Sequence, residues 1–308
     1  MRDSIPFDTE TRLEVLTVSP KNVMIQFILS RRKIKIDVAT GIKGLFALEA
    51  IVRAFKKSWY TRPHRFTSFA PIRHNNECLF YVDGKGYYED VFVGIENARS
   101  DVLIANWWLS PELPLVRPII GPLATERSRL DFTLKRAADR GVKVYIILFK
   151  EFFALNNSSK HAKKTLEALS PNIKVLRHPN VIVSLWSHHE KMVVIDRATV
   201  FLGGLDLCWG RFDGSNHPLF NDPDDKTYPG IDYYNPLKKE IKDATKIEDS
   251  YILKEYPRMP WHDVAICIKG AIATDYSNHF LSYWNHARES NHENEILFTK
   301  KLSHIDQV

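Results

Sequence analysis

The chain has 308 residues, 44% hydrophobic and 26% charged, which is typical of a globular protein and argues against a disordered chain. The 43 basic residues outnumber the 37 acidic ones, and the net charge of +6 favours an anionic partner. Three cysteines without a C-x-x-C pair argue against a disulfide framework or zinc ribbon and indicate buried, reduced thiols. Neither a membrane span nor a signal peptide is evident, which predicts a cytoplasmic protein.

The first part of the chain, residues 1–58, predicts part of a small β domain. Alternating and β-branched residues predict strands at 13–18, 23–29 and 33–36. Apolar residues at helical spacing then predict an amphipathic helix over 44–57. Strands closed by one helix are typical of the C-terminal part of a β domain, and the chain is expected to begin inside that domain.

After a polar and aromatic linker at 59–76, strands and helices alternate through residues 77–287. Strands are predicted at 79–82, 102–107, 142–149, 173–176, 192–195, 199–202 and 263–268, and helices at 87–97, 126–140, 158–169 and 272–286. Helices between strands predict an α/β fold with a β-sheet flanked by helices.

Two segments of the second part fall outside this pattern. A polar insertion at 210–258 lies between the strands that carry the candidate site residues, and such long loops are usually functional or disordered. The charged tail at 288–308 has little core pattern and is predicted to be poorly ordered.

The strongest chemical signal is the segment SHHEKMVVIDRATVFLGGLD at 187–206, in which His189, Lys191 and Asp196 form H-x-K-x-x-x-x-D. Side chains two apart on an extended segment point the same way, so His189 and Lys191 are expected to face one cleft. A neutral imidazole can attack phosphorus and form a phosphohistidine. An ammonium can stabilise the charge that develops on the phosphate oxygens, so this chemistry needs no metal.

Further residues of the segment have supporting roles in this interpretation. Asp196, past the strand, is expected to brace the turn. Gly203 and Gly204 would let the backbone approach a phosphate closely, and Asp206 would hold Lys191 or a histidine in place. Such a motif also occurs by chance, and His188 is interpreted as a structural or surface histidine. The apolar strand and the Gly-Gly-x-Asp turn after the motif favour a functional site.

The runs HHEKMVVID and FLGGLDLCWGRFD resemble the first catalytic motif of eukaryotic phosphatidylcholine-hydrolysing phospholipase D. Other segments agree in the order of that family, among them NWWLSPE at 106–112, YPGIDYYNP at 228–236 and PRMPWHDVAICIKG at 257–270. The resemblance covers about 60–285. Residues 1–57 resemble the end of the pleckstrin-homology domain that precedes the catalytic region in animal and fungal members.

The resemblance implies two similar α/β lobes with mixed sheets, each giving one histidine motif to a shared cleft, with this chain holding the N-terminal lobe. It implies hydrolysis of phosphatidylcholine to phosphatidic acid and choline, peripheral association with an anionic membrane surface, and stimulation by phosphatidylinositol bisphosphate. His189, Lys191 and Asp196 match the catalytic motif. Asp263 matches the acidic residue that orients the histidine.

The chain departs from the family because residues 207–308 contain no second H-x-K-x-x-x-x-D. Three hypotheses remain open: a truncated or half enzyme that lacks its second catalytic lobe, a homodimer in which two copies each supply His189, and a non-catalytic lipid-binding protein. A nuclease is an alternative of another class, because one-motif relatives cleave DNA. The small basic excess and the lipid-enzyme segments argue against a nucleic-acid partner.

Overall fold

A computed structural model describes residues 12–19, 22–28, 33–39, 46, 49–53, 64–117, 127–151, 158–178, 187–220, 227–228, 232–233 and 257–291. The chain separates into two compact units, residues 1–74 and residues 75–308. Each unit contains its own β-sheet.

The first unit contains a three-stranded antiparallel sheet. Its strands β1 (Arg12–Ser19), β2 (Asn22–Ile28) and β3 (Lys33–Ala39) pair in chain order, which confirms the predicted strands. Of the helix predicted at 44–57, residues 46 and 49–53 are helical, and the remainder lies outside the described residues. The assignment of this unit to a pleckstrin-homology domain stays a prediction.

The second unit contains a mixed seven-stranded sheet with the order β4-β10-β9-β8-β5-β6-β7. The strands are β4 (Glu77–Val82), β5 (Asp101–Asn106), β6 (Lys143–Phe149), β7 (Ile173–His178), β8 (Met192–Ile195), β9 (Thr199–Gly203) and β10 (Val264–Lys269). Strands β5, β6 and β7 are parallel, and all other neighbours pair antiparallel. The predicted α/β class is therefore confirmed.

In the described part of this unit, four helices cover both faces of the sheet. They are α1 (Gly84–Asn97), α2 (Leu130–Asp139), α3 (Ser159–Leu169) and α4 (Ala271–Asn291). Apolar residues of α1, α2 and α3 pack into one core cluster and those of α4 into a second. Strands buried between two such layers read as continuous apolar runs, which is why β5, β6 and β8 were recognisable in the sequence.

One helix end follows local chemistry and another follows packing. Helix α2 ends one residue before Arg140, and Gly141 follows with φ +92°, a conformation that glycine adopts without steric cost. Helix α4 continues to Asn291, beyond the predicted end at residue 286, because Ala287 and Arg288 in its last turns are buried. The predicted tail therefore begins inside a helix, and residues 292–308 lie outside the described part.

All three cysteines are free thiols, but the expectation that all are buried was wrong for one of them. Cys208 and Cys267 are buried, whereas Cys78 is exposed. Cys78 lies on β4, which has a neighbouring strand on only one side among the described residues. None of the helices in the described part of the chain is long and apolar enough to cross a bilayer.

The described residues of the polar insertion are 210–220, 227–228, 232–233 and 257–258, and several of them belong to the core. The rings of Tyr228 and Tyr233 are 2% and 0% exposed. The guanidinium of Arg258 donates a 2.5 Å hydrogen bond to Asp213 inside the protein. The ends of the insertion are therefore fixed to the lobe, close to the strands that carry the candidate site.

Candidate active site

The segment that carries His189 and Lys191 leads directly into β8. The side chains of β8 are buried between β5 and β9, which anchors the preceding residues. His189 is exposed and Lys191 is buried, yet both approach the same indole. The ring centroids of His189 and Trp107 are 5.7 Å apart, and Lys191 Nζ lies 5.9 Å from the Trp107 centroid. The imidazole and the ammonium thus both approach Trp107, and their predicted orientation toward one cleft stays a prediction.

The ammonium of Lys191 is held by two oxygens. It donates a 3.0 Å hydrogen bond to the carbonyl of His189 and lies 3.4 Å from Asp206 Oδ2. Burial lowers the pKa of Lys191, and the carboxylate of Asp206 opposes this shift. A cation with fixed partners does not need to reorganise when charge develops nearby, which suits it to stabilise a transition state.

The carboxylate of Asp206 is the anchor for this side of the site. Its Oδ1 accepts hydrogen bonds from Asn106 Nδ2 at 3.2 Å and from the backbone N–H groups of Trp107 at 2.8 Å and Trp108 at 3.2 Å. Burial raises the pKa of Asp206, whereas Lys191 and these N–H donors lower it. The Asp206–Lys191 pair therefore connects β5 and the segment after β9 to the segment that carries His189 and Lys191.

The environment of His189 favours its neutral form. Burial lowers the pKa of its imidazole, the positive charges of Lys191 and Arg211 lower it further, and Asp206 opposes them. A lowered pKa leaves the ring unprotonated at neutral pH, so a nitrogen lone pair is available for attack. Because the side chain is exposed, a phosphodiester can reach it.

Arg211 is a basic residue of the site that the sequence interpretation did not single out. Its guanidinium carbon lies 3.7 Å from the ring centroid of Trp261 and 5.8 Å from that of Trp108. Its positive charge lowers the pKa of both His189 and Lys191. Its position five residues after Asp206, inside the segment WGRFD, could have indicated it as a candidate site residue.

Trp107 packs against the core and also contacts the candidate site. It stacks on Phe149 with centroids 6.2 Å apart, and on another side it meets His189. It is only partly buried. The indole therefore forms a wall of the site as well as packing against the core.

Asp196 lies at the other end of β8 from the imidazole and the ammonium. Its carboxylate accepts hydrogen bonds from the backbone N–H groups of Arg99, Ser100 and Asp101 and from the Ser100 hydroxyl. These bonds fasten the end of β8 to the start of β5. In this position the side chain braces a turn, and a role for it in the reaction stays a prediction.

Gly203 and Gly204 allow two strands to approach closely. A Cβ on Gly203 would lie 2.5 Å from the carbonyl oxygen of Val264, and one on Gly204 would lie 2.1 Å from Asp263 Oδ1. The absent side chains therefore make room for β10 and for Asp263. Their predicted role in letting the backbone approach a phosphate stays a prediction.

Asp263 directly precedes β10. Its carboxylate accepts hydrogen bonds from Trp261 Nε1 at 3.1 Å and from the backbone N–H of Val264 at 2.8 Å. Among the described residues no hydrogen bond joins it to His189, and its orienting role stays a prediction. The indole of Trp261 that donates this hydrogen bond also stacks against the guanidinium of Arg211.

His188, the neighbour of the candidate nucleophile, has a structural environment. It is 5% exposed, and its Nδ1 lies 2.9 Å from the hydroxyl of Tyr283. Burial lowers its pKa to about 4. One further cluster in the described part of the chain has metal-ligand chemistry, Asp83 with His217 and His262, and it shares no residue with the His189–Lys191 pair.

Comparison with known proteins gives a consistent result. A family model described as Phospholipase D matches residues 94–307. Phospholipase D zeta 2 of Arabidopsis thaliana is 40% identical over 266 residues, 83% of this chain and 25% of that protein. Phospholipase D1 of Saccharomyces cerevisiae is 35% identical over 286 residues, 90% of this chain and 17% of that protein. The chain thus spans a quarter or less of the length of these two relatives.

Solved structures give a more distant likeness. A phospholipase D family member, Nuc from Salmonella typhimurium, matches 70% of this chain and 97% of its own chain, with 13% identity and a TM-score of 0.40.

Proposed function

We propose that this chain supplies one half-site of a phospholipase D that hydrolyses phosphatidylcholine to phosphatidic acid and choline. The chain belongs to the phospholipase D family. The observation that supports this most is the pairing of His189 and Lys191 against one indole. An accessible imidazole with a lowered pKa lies beside a buried ammonium, and this pair suits nucleophilic attack on a phosphodiester.

The reaction has two steps. An unprotonated ring nitrogen of His189 attacks phosphorus, a P–N bond forms, and the bond from phosphorus to the choline oxygen breaks with its electron pair leaving on that oxygen. Choline departs with a proton from an acid. Water then attacks phosphorus and gives a proton to the conjugate base of that acid, the P–N bond breaks with its electron pair returning to the ring nitrogen, and phosphatidic acid and the free imidazole are released.

The cations near His189 supply the electrostatic part of this mechanism. Lys191 is fixed by Asp206 and by a backbone carbonyl, so it can bind non-bridging phosphate oxygens without reorganisation. The guanidinium of Arg211, stacked on Trp261, adds a second positive charge. Removal of one preorganised donor of this kind costs on the order of 10²–10³ in rate.

The proton for choline requires a second half-site, because choline is a poor leaving group and the first histidine is consumed by bond formation. The sequence has one H-x-K-x-x-x-x-D motif, so the second histidine would come from a second copy of this lobe or from a second catalytic lobe. In the first case two chains share a composite cleft, and activity depends on association.

The proposed site of action is an anionic membrane surface that the protein visits peripherally from the cytoplasm. The net charge of +6 supports an anionic partner. Phosphatidylinositol bisphosphate is proposed as an activator on the basis of the family resemblance, and the phosphohistidine chemistry itself uses no cofactor.

Choline release from phosphatidylcholine vesicles tests this proposal, at a series of protein concentrations with and without phosphatidylinositol bisphosphate. We expect specific activity to rise with protein concentration in the homodimer case, and His189→Ala to abolish it. His161→Ala is the matched control, because His161 is an exposed histidine paired with Glu112. Release that persists in the His189 variant would contradict the proposal.

A further inference from the structure

A cluster outside the His189–Lys191 pair brings together three distant segments. Asp83 lies between β4 and α1, His217 lies in the segment after β9, and His262 directly precedes Asp263 and β10. Each residue offers one ligand atom, and these atoms all lie within 4.8 Å of one another. The cluster uses one carboxylate and two imidazoles, which is the ligand chemistry of open zinc sites with three protein ligands.

We propose that Asp83, His217 and His262 bind one divalent transition-metal ion of the Zn²⁺ type. His217 Nε2 lies 3.5 Å from Asp83 Oδ2. Two ligand atoms at about 2.0–2.1 Å from a tetrahedral zinc ion are about 3.4 Å apart, so this pair already has the separation that a shared ion requires. The two imidazole rings, with centroids 5.2 Å apart and planes at 89°, approach the carboxylate from different directions.

The carboxylate of Asp83 supplies a second, independent observation. The residue is 1% exposed, and within the described part of the chain its Oδ2 accepts no hydrogen bond. A buried carboxylate oxygen without a donor is unfavourable, and a bound cation would satisfy it. The backbone of Asp83 also has φ +67°, which is uncommon for a residue other than glycine.

The buried carboxylate of Asp213 lies next to the ring nitrogen of His217 that faces away from Asp83. Asp213 Oδ2 lies 3.1 Å from His217 Nδ1, although the ring needs a small rotation to align the hydrogen bond. Asp213 is itself held by Arg258 Nη2 at 2.5 Å and by the backbone N–H of Trp261 at 2.8 Å. A carboxylate on the far nitrogen of a metal-binding histidine fixes the tautomer and turns the other nitrogen toward the metal.

A simple hydrogen-bonded pair explains only part of the cluster. His262 Nδ1 lies 2.7 Å from Asp83 Oδ1, which accounts for one histidine and one oxygen. It leaves Asp83 Oδ2 without a hydrogen bond, and it leaves His217 Nε2 3.5 Å from that oxygen, beyond ordinary hydrogen-bond length. An ion bound between the three side chains accounts for both.

The identity of the ion follows from the ligands and from exposure. Two imidazoles with one carboxylate suit zinc and its first-row neighbours, whereas calcium and magnesium prefer sets of oxygen ligands. The side chain of His262 is 68% exposed, so water can occupy a fourth position. The proposal is independent of the phosphodiesterase function, because it concerns other residues and its test needs no turnover.

Titration of the full chain with Co²⁺ after treatment with a chelator tests the site, followed by competition with Zn²⁺. We expect one Co²⁺ per chain, with the visible absorption of a four- or five-coordinate ion, and displacement by Zn²⁺. His262→Gln and His217→Gln should each weaken binding by roughly 100-fold or more, since each removes a direct ligand, and a lost supporting residue alone typically costs 10–100-fold.

The matched control is His161→Gln, which removes an exposed histidine that also pairs with a carboxylate, 2.8 Å away on Glu112. It should bind Co²⁺ as the unchanged chain does. Circular dichroism checks the fold of each variant, and His262→Gln is the safer one because that side chain is exposed. Absence of stoichiometric binding by the unchanged chain, or equal loss in the His161 and His262 variants, would overturn the proposal. Either result leaves choline release at His189 as a separate question.

Discussion

The imidazole of His189 is kept neutral by its neighbours, and this links its chemistry to pH. Burial and the charge of Lys191 lower its pKa below the usual 6.5, so the neutral form persists at lower pH than for a free histidine. If the neutral ring is the nucleophile, kcat/KM falls as pH decreases through this lowered pKa. The acidic limb of the pH profile therefore lies below 6.5.

Replacement of Lys191 tests whether its charge lowers the pKa of His189 and so sets the pH dependence of the reaction. Lys191→Gln removes a positive charge near the ring and leaves the carboxylate of Asp206 unopposed, and both changes raise the pKa of His189. We expect kcat/KM to fall on the order of 10²–10³-fold and the acidic limb to move to higher pH. The measurement is a pH profile of p-nitrophenol release from an activated phosphodiester.

Lys135→Gln is the control for that experiment, because Lys135 forms an exposed helical pair with Asp139. It should leave both the rate and the profile unchanged. An acidic limb at the same pH in the Lys191 variant and the unchanged chain would show that this ammonium does not tune the nucleophile.

The buried imidazole of His188 is expected to make the stability of the protein depend on pH. Its pKa is lowered to about 4, below the 6.5 expected in the unfolded chain, so the unfolded state binds more protons between these values. Stability is therefore retained above pH 6.5 and lost as pH falls toward 4, by up to about 3 kcal/mol. Urea unfolding at several pH values measures this loss.

The comparison for this prediction is His188→Gln, which removes the titrating ring. Its free energy of unfolding should depend less on pH over the same interval, while the exposed control His161→Gln should follow the unchanged chain. Identical pH dependence in the His188 variant and the unchanged chain would rule out this histidine as the source.

At the scale of elements, the β9–β10 junction depends on a glycine. A Cβ on Gly203 would meet the backbone carbonyl of Val264 at 2.5 Å, a distance that requires the strands to move apart. We expect Gly203→Ala to lower the free energy of unfolding by about 1–3 kcal/mol. Gly214→Ala, where a Cβ would meet nothing within 4 Å, should change it by less than about 0.5 kcal/mol. Equal effects of the two substitutions in urea unfolding would contradict this account of the junction.

The sequence was sufficient to predict the strands and helices because their apolar patterns are local. Strands β5, β6 and β8 are buried apolar runs, and α2 is followed by a glycine that ends it. The extension of α4 was missed because its last turns are fixed by burial of Ala287 and Arg288, which is a tertiary effect. Helix ends that depend on packing leave little signal in the local sequence.

The site was predictable to the extent that its residues share one segment. His189, Lys191 and Asp206 lie within one run of the sequence, and two-residue spacing predicted that the first two face one cleft. Trp107 and Arg211 were missed because their contacts with the site cross between strands and loops. The cluster of Asp83, His217 and His262 was also missed, because its residues lie far apart along the chain.

For the whole molecule, the proposed mechanism divides the chemistry between one lobe, which carries the nucleophile and its cations, and a second half-site, which supplies the acid. A substrate whose leaving group departs without a proton separates these two roles. Phosphatidyl-p-nitrophenol is such a substrate, since p-nitrophenolate is a stable anion. The half-site alone should then form its covalent intermediate even if choline release is slow.

The most direct test is therefore mass spectrometry of the full chain after reaction with phosphatidyl-p-nitrophenol, quenched at neutral or alkaline pH to preserve a phosphorus–nitrogen bond. We expect a phosphatidyl adduct on His189, formed with a burst of p-nitrophenolate and absent in His189→Ala. No adduct on the unchanged chain, an adduct on another residue, or a burst that survives in the variant would contradict the role of His189 as nucleophile.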